Sequence, residues 1–204
     1  MTGELASPHL TGDDARDLAR EVALGQVAFA LLIALCVALH PGFVLKANEG
    51  GMSNYGVHAK TFLPYTVALL IPIVITVRVS RRATPNSPTA RRFVALLRLY
   101  SALLFLILIT TFPYTLDQGF KILHVVAGAL IIIFESVASV WMYRAIRSRF
   151  FVLIVQLAGL VLATLTLLGA LHVLFLSQLV TGVPFAVLLV RATRVLLSHS
   201  ASRP

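Results

Sequence analysis

The sequence predicts an all-α, polytopic membrane protein: a six-transmembrane-helix bundle with both termini cytoplasmic. Three observations predict it. The 204-residue chain is 58% hydrophobic and only 12% charged, whereas a soluble domain carries about 25% charged residues. The apolar residues come in blocks long enough to cross the ~30 Å hydrocarbon core as helices. Threading those blocks back and forth puts every arginine, from Arg16 to Arg203, on one side. The opposite side holds only Lys46, Lys60 and Lys121, with Glu49 and Asp117 against them. By the positive-inside rule the arginine side is cytoplasmic. The net charge of +9 is then topology and contact with anionic headgroups, and a nucleic-acid partner is excluded.

The elements follow in order. Residues 1–21 are read as a cytoplasmic segment. They contain Glu4, Asp13, Asp14, Asp17 and Glu21 where a signal peptide would have a basic n-region, so none is expected. A helix can start at Thr11, with Asp13 and Asp14 favoured by the helix dipole. It runs into the first span, 22–40, which Pro41-Gly42 ends. A loop, 42–60, leads to the second span, 61–79, with Pro64 and Pro72 as expected kink sites. Two arginine pairs flank a Pro-containing turn before the third span, 93–112. Thr115 and Gln118 fit a capping box opening the fourth, 116–143. From Phe150 to Val190 there are forty-one residues without a charge. As one helix they would reach about 60 Å, twice the membrane core, so the block must fold back. Gly169-Ala170 is the expected hinge between spans 150–168 and 171–197. Residues 198–204 form a cytoplasmic tail. Gly159 and Ala163 make a small-residue face suited to close helix contact. The single cysteine, Cys36, rules out an intramolecular disulfide and reports no redox compartment.

The fourth span organises the chemistry. At about 100° per residue, Asp117, His124, Gly128 and Glu135 fall on one stripe. A carboxylate in hydrocarbon is costly and normally faces a protein interior or wet cavity. Arg98 and Gln156 should lie at a depth similar to Glu135, and the expected arrangement is a polar knot of Arg98, Glu135 and Gln156 tying three helices together. A proton or ion pathway is the competing reading, but the stripe offers no further ionisable group between His124 and Glu135.

Topology also gathers His40, His58, His124 and His172 at the outer face, while His9 and His199 lie in the tails. Interfacial enrichment alone accounts for any one of these residues. A second reading is a headgroup pocket lined by Asn54, Tyr55, His58, Lys60, Asp117, Lys121 and His124. Lysines there would hold phosphate, and the Asn, Tyr and His side chains would donate hydrogen bonds. A third is a zinc or haem b site using His40, His58, His124 and His172. No local metal-ligand spacing supports it, so no metal or cofactor is the primary expectation.

His40-Pro41-Gly42, followed by Ser53-Asn54-Tyr55-Gly56, resembles the segment after the first helix in a bacterial six-span group of unknown function. His124 to Ala129, with Phe134 following, resembles the fourth-helix pattern of its wider relatives. These are the FGF-receptor-activating-protein and damage-regulated autophagy modulator proteins and the GPI-anchor lipid-remodelling factor. The resemblance implies a six-helix protein of lipid handling or membrane organisation, and supplies no reaction. The expected function is therefore a plasma-membrane protein that binds a lipid or amphiphile in its outer-face pocket, with enzymatic activity left open. The alternatives are a metal- or haem-binding membrane enzyme and an accessory subunit of a larger complex; a membrane-protein partner and a homo-oligomer both stay open.

Overall fold

In the computed structural model, residues 12–198 are described, without the side chains of Ala47, Glu49 and Tyr114. The expectations for residues 1–11 and 199–204, including His9, His199 and Arg203, lie outside the described residues. Six helices are long and apolar enough to cross a membrane. They are α1 (Gly12–Leu39), α3 (Phe62–Arg82), α4 (Pro88–Thr111), α5 (Gln118–Ile146), α6 (Phe150–Leu167) and α7 (Leu174–Ser198). Among the described residues there is no strand. The segment expected as a loop after the first span contains a short helix, α2 (Val44–Gly50), flanked by 3-10 turns at Pro41–Phe43 and Met52–Val57.

Helix α7 lies at the centre of the packing: it touches α1, α5 and α6 broadly and reaches α4, while α3 bridges α1 and α4. The outward surface is apolar. Leu24, Leu31, Val74, Ile133, Val137 and Val161 are exposed, as a bundle facing hydrocarbon requires. Lipid tails are as apolar as leucine, so burying leucine does little to hold helices together there; close packing and polar contacts do. Both are present. A Cβ at Gly159 would come within 2.8 Å of the Thr181 backbone nitrogen, so only glycine lets α6 approach α7 this closely. The Thr76 and Ser101 hydroxyls lie 2.6 Å apart between α3 and α4.

The long uncharged block folds back where expected. Gly169 adopts φ +75, a left-handed conformation that L side chains resist, and the Ala170 amide donates to Leu165 O at 2.9 Å. Two local expectations are corrected. Pro64 sits in the first turn of α3, where a missing N–H breaks no intrahelical bond, so it is not a kink site; Pro72 does lie inside α3. The cap of α5 is Asp117 and not Thr115: its carboxylate accepts from the amides of Gly119 at 2.8 Å and Phe120 at 3.1 Å. The Thr115 hydroxyl instead donates back to Phe112 O at 3.0 Å.

Alternation of the six helices gathers all the described arginines at one end of the bundle and Lys46, Lys60 and Lys121 at the other. Glu21 of α1 ties the arginine end together, pairing with Arg78 and Arg82 of α3.

Candidate outer-face site

The 40–61 segment covers the lysine end of the bundle. It is fastened to α7 at three points. The Met52 amide donates to Gln178 Oε1 at 2.7 Å, the Leu176 amide donates to Asn48 Oδ1 at 3.4 Å, and the Tyr55 ring meets Phe175 at 5.9 Å. Gly51 makes the turn between α2 and the second 3-10 segment at φ +84. Inside the segment, Asn54 Nδ2 donates to Lys46 O at 2.9 Å and the Thr61 hydroxyl donates to Tyr55 O at 2.6 Å.

This folding brings together His40, at the end of α1, and His58, before α3. Their Nε2 atoms are 3.0 Å apart. The Lys60 amide reaches His58 Nδ1 at 3.5 Å, which reserves that lone pair and leaves the proton on Nε2; His58 is then the donor and His40 the acceptor. Phe43 stacks on His40 with centroids 5.1 Å apart and lies 5.5 Å from both His58 and Tyr55. The Lys46 ammonium is 5.9 Å from the centre of the Phe43 ring. Desolvation, then the positive charges of His58, Lys60 and Lys46, holds His40 below its ordinary protonation range. Three basic groups, His40, His58 and Lys46, therefore meet one aromatic platform, and the Lys60 charge lies near enough to act on His40. Beneath it, Tyr55 is buried, and its hydroxyl has no hydrogen-bond partner among the described residues. Burial and neighbouring Cys36 push that phenol up.

The seven residues expected to line one pocket fall into three places. Asn54, Tyr55, His58 and Lys60 belong to the 40–61 segment. Asp117 and Lys121 line a shallow dish of about 370 Å³ at the start of α5, together with residues 115, 116 and 118. His124 faces elsewhere: it is buried, and its Nδ1 lies 2.9 Å from the Thr110 hydroxyl of α4. The single pocket is corrected: the 40–61 segment contributes four of its residues, Asp117 and Lys121 line the dish at the start of α5, and His124 is taken up in an interhelical contact.

The four histidines considered for a metal are likewise not assembled. His40 and His58 pair, His124 meets Thr110, and His172 is exposed in the connection before α7. Among the described residues no three His, Cys, Asp or Glu side chains group as ligands. Two imidazole nitrogens 3.0 Å apart also leave no room for a porphyrin plane between them.

The intramembrane knot is not formed either. The buried stripe of α4 is Phe93, Leu97, Tyr100, Leu104 and Ile107; Arg98 lies a further 100° round the helix, exposed in the groove toward α3. Glu135 and the Gln26 side chain both lie close enough to the Tyr100 phenol to act on it electrostatically. Tyr100 also packs on Phe185 at 4.9 Å and Phe134 at 6.1 Å. Gln156 is fully buried, with both amide atoms unpartnered among the described residues.

The His40–His58 pair, the Phe43 platform and the Gln26–Tyr100 contact were not visible in the sequence. Eighteen residues separate the two histidines, a spacing that belongs to no local motif. The chain matches no protein-family profile, no curated protein and no solved structure.

Proposed function

We propose that this is a plasma-membrane protein with its arginine end cytoplasmic, binding the anionic headgroup of a lipid or other amphiphile at its outer face. The site is the basic cluster of His40, His58, Lys46 and Lys60, placed on Phe43 and fastened over α7. One observation carries the reading: His40, His58 and Lys46 meet on the half-buried Phe43 ring, the Lys60 charge acts on His40 beside them, and no carboxylate is ion-paired with them among the described residues. Lysines on this surface repel a metal cation and attract an anion. Charge-assisted hydrogen bonds to a phosphate are about twice as strong as neutral ones. The segment that carries the cluster also supplies apolar cover, through Phe43, for the first carbons below a headgroup.

His124, Asp117 and Lys121 thus leave the proposed site, and His40 and Lys46 join His58 and Lys60, while the class of ligand stays the same. Lipid handling or membrane organisation is the role this arrangement supports. Calorimetric titration of the detergent-solubilised protein with a short-chain anionic phospholipid tests it. Saturable binding that K46Q/K60Q and H58A each weaken, and that a zwitterionic lipid does not reproduce, is expected. Equal binding of both lipids, or full binding by the variants, overturns the proposal.

A further inference from the structure

A groove of about 550 Å³ runs between α3 and α4 toward the arginine end. Each helix contributes one stripe to it. From α3 come Ile73, Val77 and Arg81, four residues apart; from α4 come Arg98, Ala102 and Phe105. The wall therefore changes character along its length. Arginines mark the end nearer the bundle's surface, and apolar side chains continue for roughly 12 Å toward the midplane, at 1.5 Å per residue from Arg81 to Ile73.

Among the described residues the two arginines have no carboxylate paired with them. Glu21, the acid that serves this end of α3, is taken by Arg78 and Arg82. The groove's hydroxyls do not serve them either: Ser80 Oγ donates to Val77 O and Ser101 Oγ to Leu97 O. Around the groove the helices show Val74, Leu99 and Phe105 to the outside, each at least half exposed, so it opens onto lipid. At headgroup level a phosphate oxygen is the partner the guanidinium fork fits best.

We propose that this groove holds an anionic phospholipid from the leaflet at the arginine end. Its phosphate lies between Arg81 and Arg98, and one acyl chain runs along Ile73, Val77 and Phe105. The site is independent of the outer-face cluster, which lies at the other end of the bundle.

The full-length protein, purified in mild detergent and equilibrated with equal amounts of phosphatidylglycerol and phosphatidylcholine, is examined by native mass spectrometry. Phosphatidylglycerol should be retained preferentially. Retention should fall about fivefold for each arginine changed to glutamine, as expected for roughly one headgroup-level charge. R81K/R98K, which keeps the charge, should retain more than R81Q/R98Q. The losses should be the same in an H40A/H58A background, which separates this groove from the outer-face site. Equal retention of the two lipids by the wild-type protein overturns the proposal. So does undiminished retention by a monodisperse R98Q protein, a single exposed substitution that decides the matter if the double variant does not fold.

Discussion

The imidazoles of His40 and His58 are joined by a hydrogen bond of 3.0 Å between their Nε2 atoms. Only one of those atoms can donate, so the pair accepts at most one proton beyond the neutral state before both become donors and the bond is lost. With Lys46 and Lys60 adding positive charge, the unliganded cluster resists that protonation and an anion relieves it.

The pH dependence has a definite sign. His40 is held below its ordinary value of 6.5 in the folded protein. Below that pH the unfolded chain binds more protons than the folded one, so stability present at pH 7 is lost as the pH falls. Thermal unfolding in non-ionic detergent should therefore shift to lower temperature on going from pH 7 to pH 5. In H40Q, which does not titrate there, the slope should flatten. A bound anionic headgroup should reduce the acid sensitivity of the wild-type protein. An identical pH profile for wild type and H40Q would count against the pair.

Thr110 and His124 connect α4 to α5 at 2.9 Å. Removing the hydroxyl in T110V takes a partner from a buried imidazole, at a cost of about 1 kcal/mol, the usual range being ~1–3 in water and ~0.6 on average between membrane helices. T110S should retain most of the stability. Equilibrium unfolding in mixed micelles measures the difference, and equal stability of T110V and wild type would show that the contact contributes nothing.

The α6–α7 contact at Gly159 admits no side chain, because the nearest backbone atom, Thr181 N, cannot be moved by a rotamer change. G159A should destabilise the bundle by about 1–3 kcal/mol, the usual range for overpacking. Trimming the neighbour in T181A/G159A should recover only part of it. Full recovery in that double variant would mean that the side chain, and not the backbone, sets the helix separation.

Arg98 and Glu135 stand on different faces of the α4–α5 pair and form no ion pair among the described residues. A double-mutant cycle with R98Q and E135Q should give a coupling energy within ~0.5 kcal/mol of zero, as for independent sites. Gln156, buried with an unpartnered amide, supplies a complementary case: Q156L should be neutral or stabilising, since it removes two unsatisfied polar atoms from the interior. A coupling of 2 kcal/mol in the cycle, or a large loss in Q156L, would restore the three-residue knot.

The sequence made the helices legible because the membrane imposes a coarse rule: about twenty apolar residues per crossing. The hinge at Gly169 and the close face at Gly159 were readable for the same reason, since few residues fit such places. The separation of arginines from lysines was equally plain. The site was legible only as a collection. His58, Tyr55, Asn54 and Lys60 share one segment in sequence and in structure, whereas topology alone puts His124 and Asp117 at the same end without making them neighbours. Helical phase says which side of a helix a residue occupies; it does not say which neighbour lies across from it. The neighbour of His124 is Thr110, an apolar-block threonine with no distinguishing signal. The Arg98–Glu135 expectation failed in a related way. Equal depth was taken as proximity, whereas α4 presents Tyr100 to the interior and turns Arg98 toward α3.

The most direct test of the outer-face site is to follow the histidine imidazole resonances by NMR while a short-chain phosphatidylglycerol is added to the full-length protein in non-ionic detergent. The account predicts that the His40 and His58 signals shift together when lipid is bound and that His40 then titrates at higher pH, while the signals of His124 and His172 stay in place. Unmoved His40 and His58 signals at saturating lipid, or equal shifts at all four histidines, would contradict it.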